Sequence, residues 1–316
     1  MLNLDQNYIT TKFSLPKTTI LVVLDGVYQP QLSSSIANAI IGEKTLKIPK
    51  NTKINLPIHL LFFASQNCCN SFDIIAEEDS YTTIIEEHAS LGDGQYTSEI
   101  KINITAKANS EIVHYKLQLE NITQATHQNT INIDQATGSR IISNFINKGA
   151  KTSQDTLYIK LAGENAAIDI KGINLLRDHQ NMNCHIKIEH QKPNCISNVL
   201  FKSVIDDQAI NNFACRVIAH NGATKTETHV TNKNLLLSEL ATANTSPEME
   251  VYVDDVICTH GATVGQLDAE ALFYLRSRGI TKNMAIAMLI SAFVQEIVDQ
   301  FAKYDRFKIA AELYPA

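Results

Sequence analysis

From about residue 90 to residue 250 the chain is a succession of short segments in which apolar and polar residues alternate, and no helical stripe interrupts them. Ile100, Ile102 and Ile104 share one face, with Lys101 and Asn103 on the other. Ile186 and Ile188 alternate in the same way with His185, Lys187 and Glu189. Successive side chains of a strand point to opposite faces, so this period of two, rich in Val, Ile, Thr and Tyr, predicts half-buried strands. Segments of this kind run Ile20 to Leu24, His59 to Ala64, Glu99 to Thr105, Ile112 to Leu119, Thr156 to Leu161, Ile168 to Ile173, His185 to Glu189, Asn198 to Val204 and Phe213 to Ala219. Asparagines such as Asn181, Asn183, Asn211 and Asn212 are expected between the strands, where Asn tolerates left-handed turns and can stack in ladders. Short strands at fairly regular spacing suit a sandwich, a barrel or a solenoid, and the periodicity leaves all three open.

The end of the chain changes period. A strand is expected over Val251 to Cys258, followed by a sharp exit at Gly261 and Gly265. Asp268 is a good N-cap for a helix from Ala269 to Arg278, with Gly279 at its C-cap and Arg276 and Arg278 at the negative end of its dipole. A second helix is expected from Thr281 or Asn283. Its apolar positions Ile286, Ile290, Phe293, Ile297 and Phe301 follow helical spacing, widened by Leu289, Val294 and Val298. This stripe is expected to pack against the end of the preceding fold and the first helix.

Within that region Cys258 and His260 are two apart and so share a strand face. A thiolate and an imidazole side by side suit a soft or borderline metal such as iron or zinc. The other candidates are poorer. Cys184 and His185 are adjacent and point opposite ways, and Cys195 and Cys215 sit in strand-like text as core. Cys68 and Cys69 lack a matching second pair. Asp254 and Asp255, as strand neighbours, would face apart and make a poor carboxylate dyad. The chain contains no phosphate-binding G-x-x-x-x-G-K-[ST] loop, and no G-x-G-x-x-G, G-x-S-x-G or H-E-x-x-H motif, so no ATP site of its own is expected.

At 316 residues, 44% of them hydrophobic, the chain can bury a substantial core. A formal charge of −6 and a pI of about 5.9 argue against nucleic acid as a partner. No apolar run is long enough to span a bilayer, and the first residues show no secretory pattern. Six cysteines in a chain of this length make no disulfide framework, so a reducing cytoplasm is expected.

The stretch PEMEVYVDDVICTHGATVGQLDAEALFYLRSRGI (247–280), with TKTETHVTNKNLLLSELATANTSPE (224–248) upstream, closely resembles the SufD branch of the SufB/SufD family, scaffolds of Suf-type iron–sulfur cluster assembly. Gly261 after His260, where the SufB branch carries Glu, favours the SufD side. The resemblance implies a mainly β protein, a right-handed parallel β-helix with a C-terminal helical region. The expected divisions are an N-terminal segment (1–70), short for the family, a β-helix core (71–267) and the helical region (268–316). It implies a non-enzymatic scaffold that pairs with a SufB-type paralogue and binds the SufC ATPase through the C-terminal helices. A transient iron–sulfur cluster, or iron, would be shared at the interface, with His260 as ligand and Cys258 as support or second ligand. A homodimer of the same surface is the alternative, and a β-helix enzyme acting on acidic polysaccharide the distant one.

Overall fold

The computed structural model describes residues 18–36 and 39–299. Among these are nineteen strands. The first nine are β1 (Thr19–Leu24), β2 (Val27–Tyr28), β3 (Ile40–Ile41), β4 (Thr45–Ile48), β5 (Ile58–Ala64), β6 (Cys68–Ala76), β7 (Tyr81–Ser90), β8 (Tyr96–Ala106) and β9 (Glu111–Gln118). The next five are β10 (Ala125–Gln135), β11 (Arg140–Asn147), β12 (Thr152–Leu161), β13 (Ala167–Leu176) and β14 (Asn181–His190). The last five are β15 (Ile196–Ile205), β16 (Ile210–Ala219), β17 (Thr226–Leu236), β18 (Thr242–Val251) and β19 (Val256–Gln266), followed by helices α1 (Ala269–Ser277) and α2 (Lys282–Val298).

Odd and even strands segregate. From β5 onward, every odd strand joins one sheet and every even strand the other, and each pairs in parallel with the strand two further along. That connectivity is a parallel β-helix of about eight turns. Of the three architectures left open by the strand pattern, the solenoid is the one formed. Among the described residues only the short β1–β2 and β3–β4 pairs are antiparallel.

The period-two pattern works as expected. Ile102, Ile131, Leu157, Ile186 and Cys215 stack in register as one inward row of the even sheet, and all are buried. The corners explain part of the asparagine content. Asp79, Asn109, Gly138, Asn165 and Asn194 each turn the chain with φ between 54° and 66°. Asp, Asn and Gly are the residues that enter this region at least cost. These corners also stack, the Asn109 amide donating to the Thr137 carbonyl at 2.9 Å and the Gly138 amide to that of Glu164 at 2.8 Å.

Asn181, Asn183, Asn211 and Asn212, in contrast, lie within β14 and β16 and not between strands. The ladder is there all the same. Asn212 donates to Asn183 at 2.9 Å and Asn244 to Asn212 at 2.7 Å on the outer face. Inside, Gln118, Asn147, Asn174, Ser203 and Asn234 occupy one register row, with Asn147 donating to Asn174 at 3.0 Å. An amide side chain both donates and accepts, so Asn174 links the turns on either side of it, accepting from Asn147 and donating to Ser203 at 3.3 Å.

Three features of the C-terminal part differ from expectation. The strand over Val251 to Cys258 is broken: Val251 ends β18, residues 252–255 form a corner, and Val256 opens β19. Asp254 and Asp255 are therefore corner residues, with the Asp255 carbonyl accepting from the Lys225 amide of the corner below. Gly261 and Gly265 make no sharp exit. Both sit within β19, with open space where a Cβ would stand. The helix caps hold: Asp268 accepts from the Glu270 and Ala271 amides, Thr281 accepts from Met284, and Gly279 takes φ +85°.

The apolar stripe of α2 packs along the flank of the solenoid, not over its end. Ile290, Val294, Ile297 and Val298 bury against Tyr115, Ile146, Ile173 and Val204 on the outer face of the odd sheet. The outward rows of those strands carry these apolar residues, so the odd sheet has an apolar flank that the helix covers. Phe301, the last position of the expected stripe, lies outside the described residues.

Candidate functional site

In the described residues nothing pairs beyond the last turn of the solenoid. Among the described residues β19 pairs only with β17 and β18 only with β16. Two strands of ten and eleven residues thus present edges with unpaired backbone groups. Such edges accept a further strand.

Cys258 and His260 lie on β19, in register with Thr228 and Val230 of β17. Thr228 and Val230 are inward residues with at most 1% exposure. Cys258 and His260 therefore continue the inward rows onto the last turn, where no further turn covers them. His260 is exposed and Cys258 half-buried. They share a face, as their spacing predicts, while Ile257 and Thr259 point outward. Residues two apart in a strand span about 6.6 Å, close enough for both to approach a metal held off the edge. Partial burial raises the Cys258 thiol above its ordinary value, so a bound metal, not the protein alone, would have to favour the thiolate.

A polar relay backs this edge. The Thr228 hydroxyl meets Ser197 Oγ at 2.8 Å, and Ser197 meets His190 Nε2 at 2.8 Å. Burial depresses His190 to about 4, so it is neutral at ordinary pH. On the outer side His229 is held between Thr259 Oγ1 at 2.6 Å and Glu227 Oε1 at 3.0 Å.

The remaining cysteines do not converge on this edge. Cys184, Cys195 and Cys215 are buried, and burial pushes Cys215 up to about 12. Cys184 is buried and His185 faces solvent, as their adjacency predicts. Among the described residues no group of three or more His, Cys, Asp or Glu side chains could hold a metal ion.

The helices add a second surface. Phe273 of α1 is 74% exposed, and Tyr274 of α1 and Met284 and Met288 of α2 are exposed too. Helix α1 buries none of its residues. Large apolar side chains this exposed and this close in sequence are candidates for an interaction surface.

One cluster escaped the strand pattern. In the solenoid interior Glu86 meets His88 at 2.5 Å and His114 at 3.0 Å, Glu120 meets His127 at 2.7 Å, and Lys116 pairs with Asp155. All are buried. The partner imidazoles hold Glu86 well below the usual carboxylate range against the cost of its burial, and Glu120 at about 2. His114 and Lys116 alternate with Val113, Tyr115 and Leu117, which reads as a polar outer face. The reverse is true because Tyr115 is buried under α2. Three consecutive polar residues, Glu86, Glu87 and His88, inside a strand were the available signal.

The profile described as SUF system FeS cluster assembly, SufBD core domain, matches residues 63–293. The chain is 35% identical over 226 residues to the iron–sulfur cluster assembly protein SufD of Escherichia coli, covering 70% of this chain and 52% of that protein. It is 31% identical over 266 residues to a SufBD family protein of Synechocystis, covering 80% and 58%. It is 25% identical over 268 residues to the chloroplastic protein ABCI7 of Arabidopsis thaliana, covering 80% and 56%. The chain thus spans a little over half the length of these relatives. No helix among the described residues is long and apolar enough to cross a membrane.

Proposed function

The chain belongs to the SufBD family of SUF-system iron–sulfur cluster assembly proteins, and from that premise we propose that it is a non-enzymatic scaffold subunit whose C-terminal strand edges pair with a SufB-type paralogue around a nascent cluster. The observation that carries this is the end of the solenoid, where among the described residues β18 and β19 each keep one free edge and β19 carries His260 and Cys258 together. An iron–sulfur cluster takes four protein ligands. This edge offers two, so the rest belong to the partner. The cluster is cargo: His260 ligates iron from this side, Cys258 supports it or adds a second thiolate, and the strand edges fix the distance across the interface. The exposed Phe273, Tyr274, Met284 and Met288 surface docks a SufC-type ATPase. Closure of that ATPase drives cluster formation only if it changes exposure at the His260 edge, since a ligand that treats two states equally shifts neither.

The test is anaerobic co-purification with a SufB-type and a SufC-type partner, wild type against His260→Ala, scored by bound iron, sulfide and visible absorbance. A variant complex that assembles without a cluster supports His260 as ligand. Equal cluster content removes that role and leaves a structural arm. Failure to form any complex overturns the scaffold reading. A parallel strand edge can also meet its own copy about a two-fold axis. Native mass spectrometry of the chain alone and with the paralogue distinguishes a homodimer from the mixed pair.

A further inference from the structure

Four inward side chains on adjacent strands form a square: His127 stands in register with Ser153, and Asn129 with Asp155. All four are buried. Each carries one atom without a hydrogen-bond partner among the described residues, namely His127 Nε2, Ser153 Oγ, Asn129 Oδ1 and Asp155 Oδ2. The opposite atoms are engaged, which fixes the orientation of three of them. His127 Nδ1 lies 2.7 Å from Glu120 Oε2, Asn129 Nδ2 donates to Glu86 Oε1 at 3.2 Å, and Asp155 Oδ1 takes the Lys116 ammonium. Buried polar groups are almost always partnered, so four orphans in one square mark a ligand.

The chemistry of the square selects that ligand. His127 Nδ1 lies 2.7 Å from Glu120 whereas Nε2 is 4.0 Å from Asp155 Oδ1, so Nδ1 carries the proton, and burial keeps the ring neutral. Nε2 is then an acceptor, as are Asn129 Oδ1 and Asp155 Oδ2. Three acceptors and one hydroxyl require a guest rich in donors. Lys116 already neutralises Asp155, so a cation would sit against an ammonium, and an uncharged donor fits better. One water molecule donates two hydrogens and cannot serve three acceptors; two can. The square also lies on a polar row that ends at a crevice. Cys68, Ser98, His127 and Ser153 form one row across β6, β8, β10 and β12. At its near end a crevice lined by Gly26, Cys68, Ser98 and Glu120 has room for about one water molecule.

We infer that the square of His127, Asn129, Ser153 and Asp155 binds two ordered water molecules that enter along this row from the crevice at Cys68. The hydrated row gives Glu86, Glu120 and the Lys116–Asp155 pair a polar surrounding inside the solenoid.

A crystal structure of the full chain near atomic resolution, paired with thermal unfolding of Ser153→Ala, tests this. The expected result is two solvent peaks within hydrogen-bond distance of the square, and a Tm lowered by about 2 °C as one water loses a partner. Absence of density in the square, or a peak that refines as a metal ion, overturns it. So does a raised Tm for Ser153→Ala, the mark of a dry site relieved of an unpaired hydroxyl.

Discussion

Lys202, on the outer face of β15, reaches into the C-terminal helix: its ammonium pairs with Glu296 at 2.8 Å and donates to the Phe293 carbonyl at 2.8 Å. The Lys202 side chain is almost fully buried and lies 5.5 Å from the Phe293 ring centroid. This is the polar anchor within an otherwise apolar helix–sheet contact.

Lys202→Met is therefore expected to weaken the docking of α2 by about 1–2 kcal/mol, because the buried carbonyl contact is lost while the stem packing is kept. Glu296 is largely exposed, so Glu296→Gln should cost well under 1 kcal/mol. Amide exchange across 282–298, measured for both variants, checks the order. Equal effects would show that the ion pair, not the carbonyl contact, holds the helix.

Two glycines of the strands should behave oppositely. A Cβ on Gly172 would press into the fully buried Phe201 ring, well inside van der Waals contact, so Gly172→Ala is expected to destabilise by about 1–3 kcal/mol through overpacking. Gly261 has open space around it, and Gly261→Ala should leave stability unchanged. Denaturant unfolding of the two variants tests the contrast.

Stability should fall steadily on acidification. His190 has a folded pKa near 4, below the ordinary 6.5, so between those values the unfolded chain binds a proton the folded chain does not. The sign makes folding less favourable as pH drops from 6.5 to 4, on the order of 3 kcal/mol in all. Glu120, held at about 2, adds a second loss between about 4.5 and 2, and Glu86 acts in the same direction. A Tm series against pH should show both segments. His190→Gln should shrink the upper one, leaving the share of the buried His127, whose pKa burial also lowers, and should leave the lower segment unchanged.

Phe273 separates folding from partnership. It is exposed, on a helix that buries none of its residues, so Phe273→Ala should change stability by less than about 0.5 kcal/mol. If this surface docks the ATPase, the same variant should weaken that complex at least tenfold, as loss of a large aromatic anchor does. Calorimetric titration with the purified partner decides; unchanged affinity would move the docking surface elsewhere.

Much of this was legible locally. Alternation at Ile100, Ile102 and Ile104 marked an inward row, Asp268, Thr281 and Gly279 marked helix ends, and the spacing of Cys258 and His260 placed them on one face. The text around them carried the family. These features depend on dihedral preferences and on side chains a few residues apart, which any reader of the chain can see.

What the tertiary structure decided depends on stacking between residues a full turn apart. Thr152, Asn181 and Ile210 meet at intervals of 29 residues. A period of two is unchanged when inside and outside are exchanged, so nothing local told that the row of His114 and Lys116 is interior while that of Lys101 and Asn103 is not. The flank of the odd sheet chose, because α2 covers Tyr115 and Ile146 and turns the polar row inward. The corner at 252–255 has the same origin. Residues 251 to 258 suit a strand in isolation, yet the corner of Lys225 beneath them requires a turn at Asp255. That turn sets Cys258 and His260 on the last uncovered strand of the solenoid.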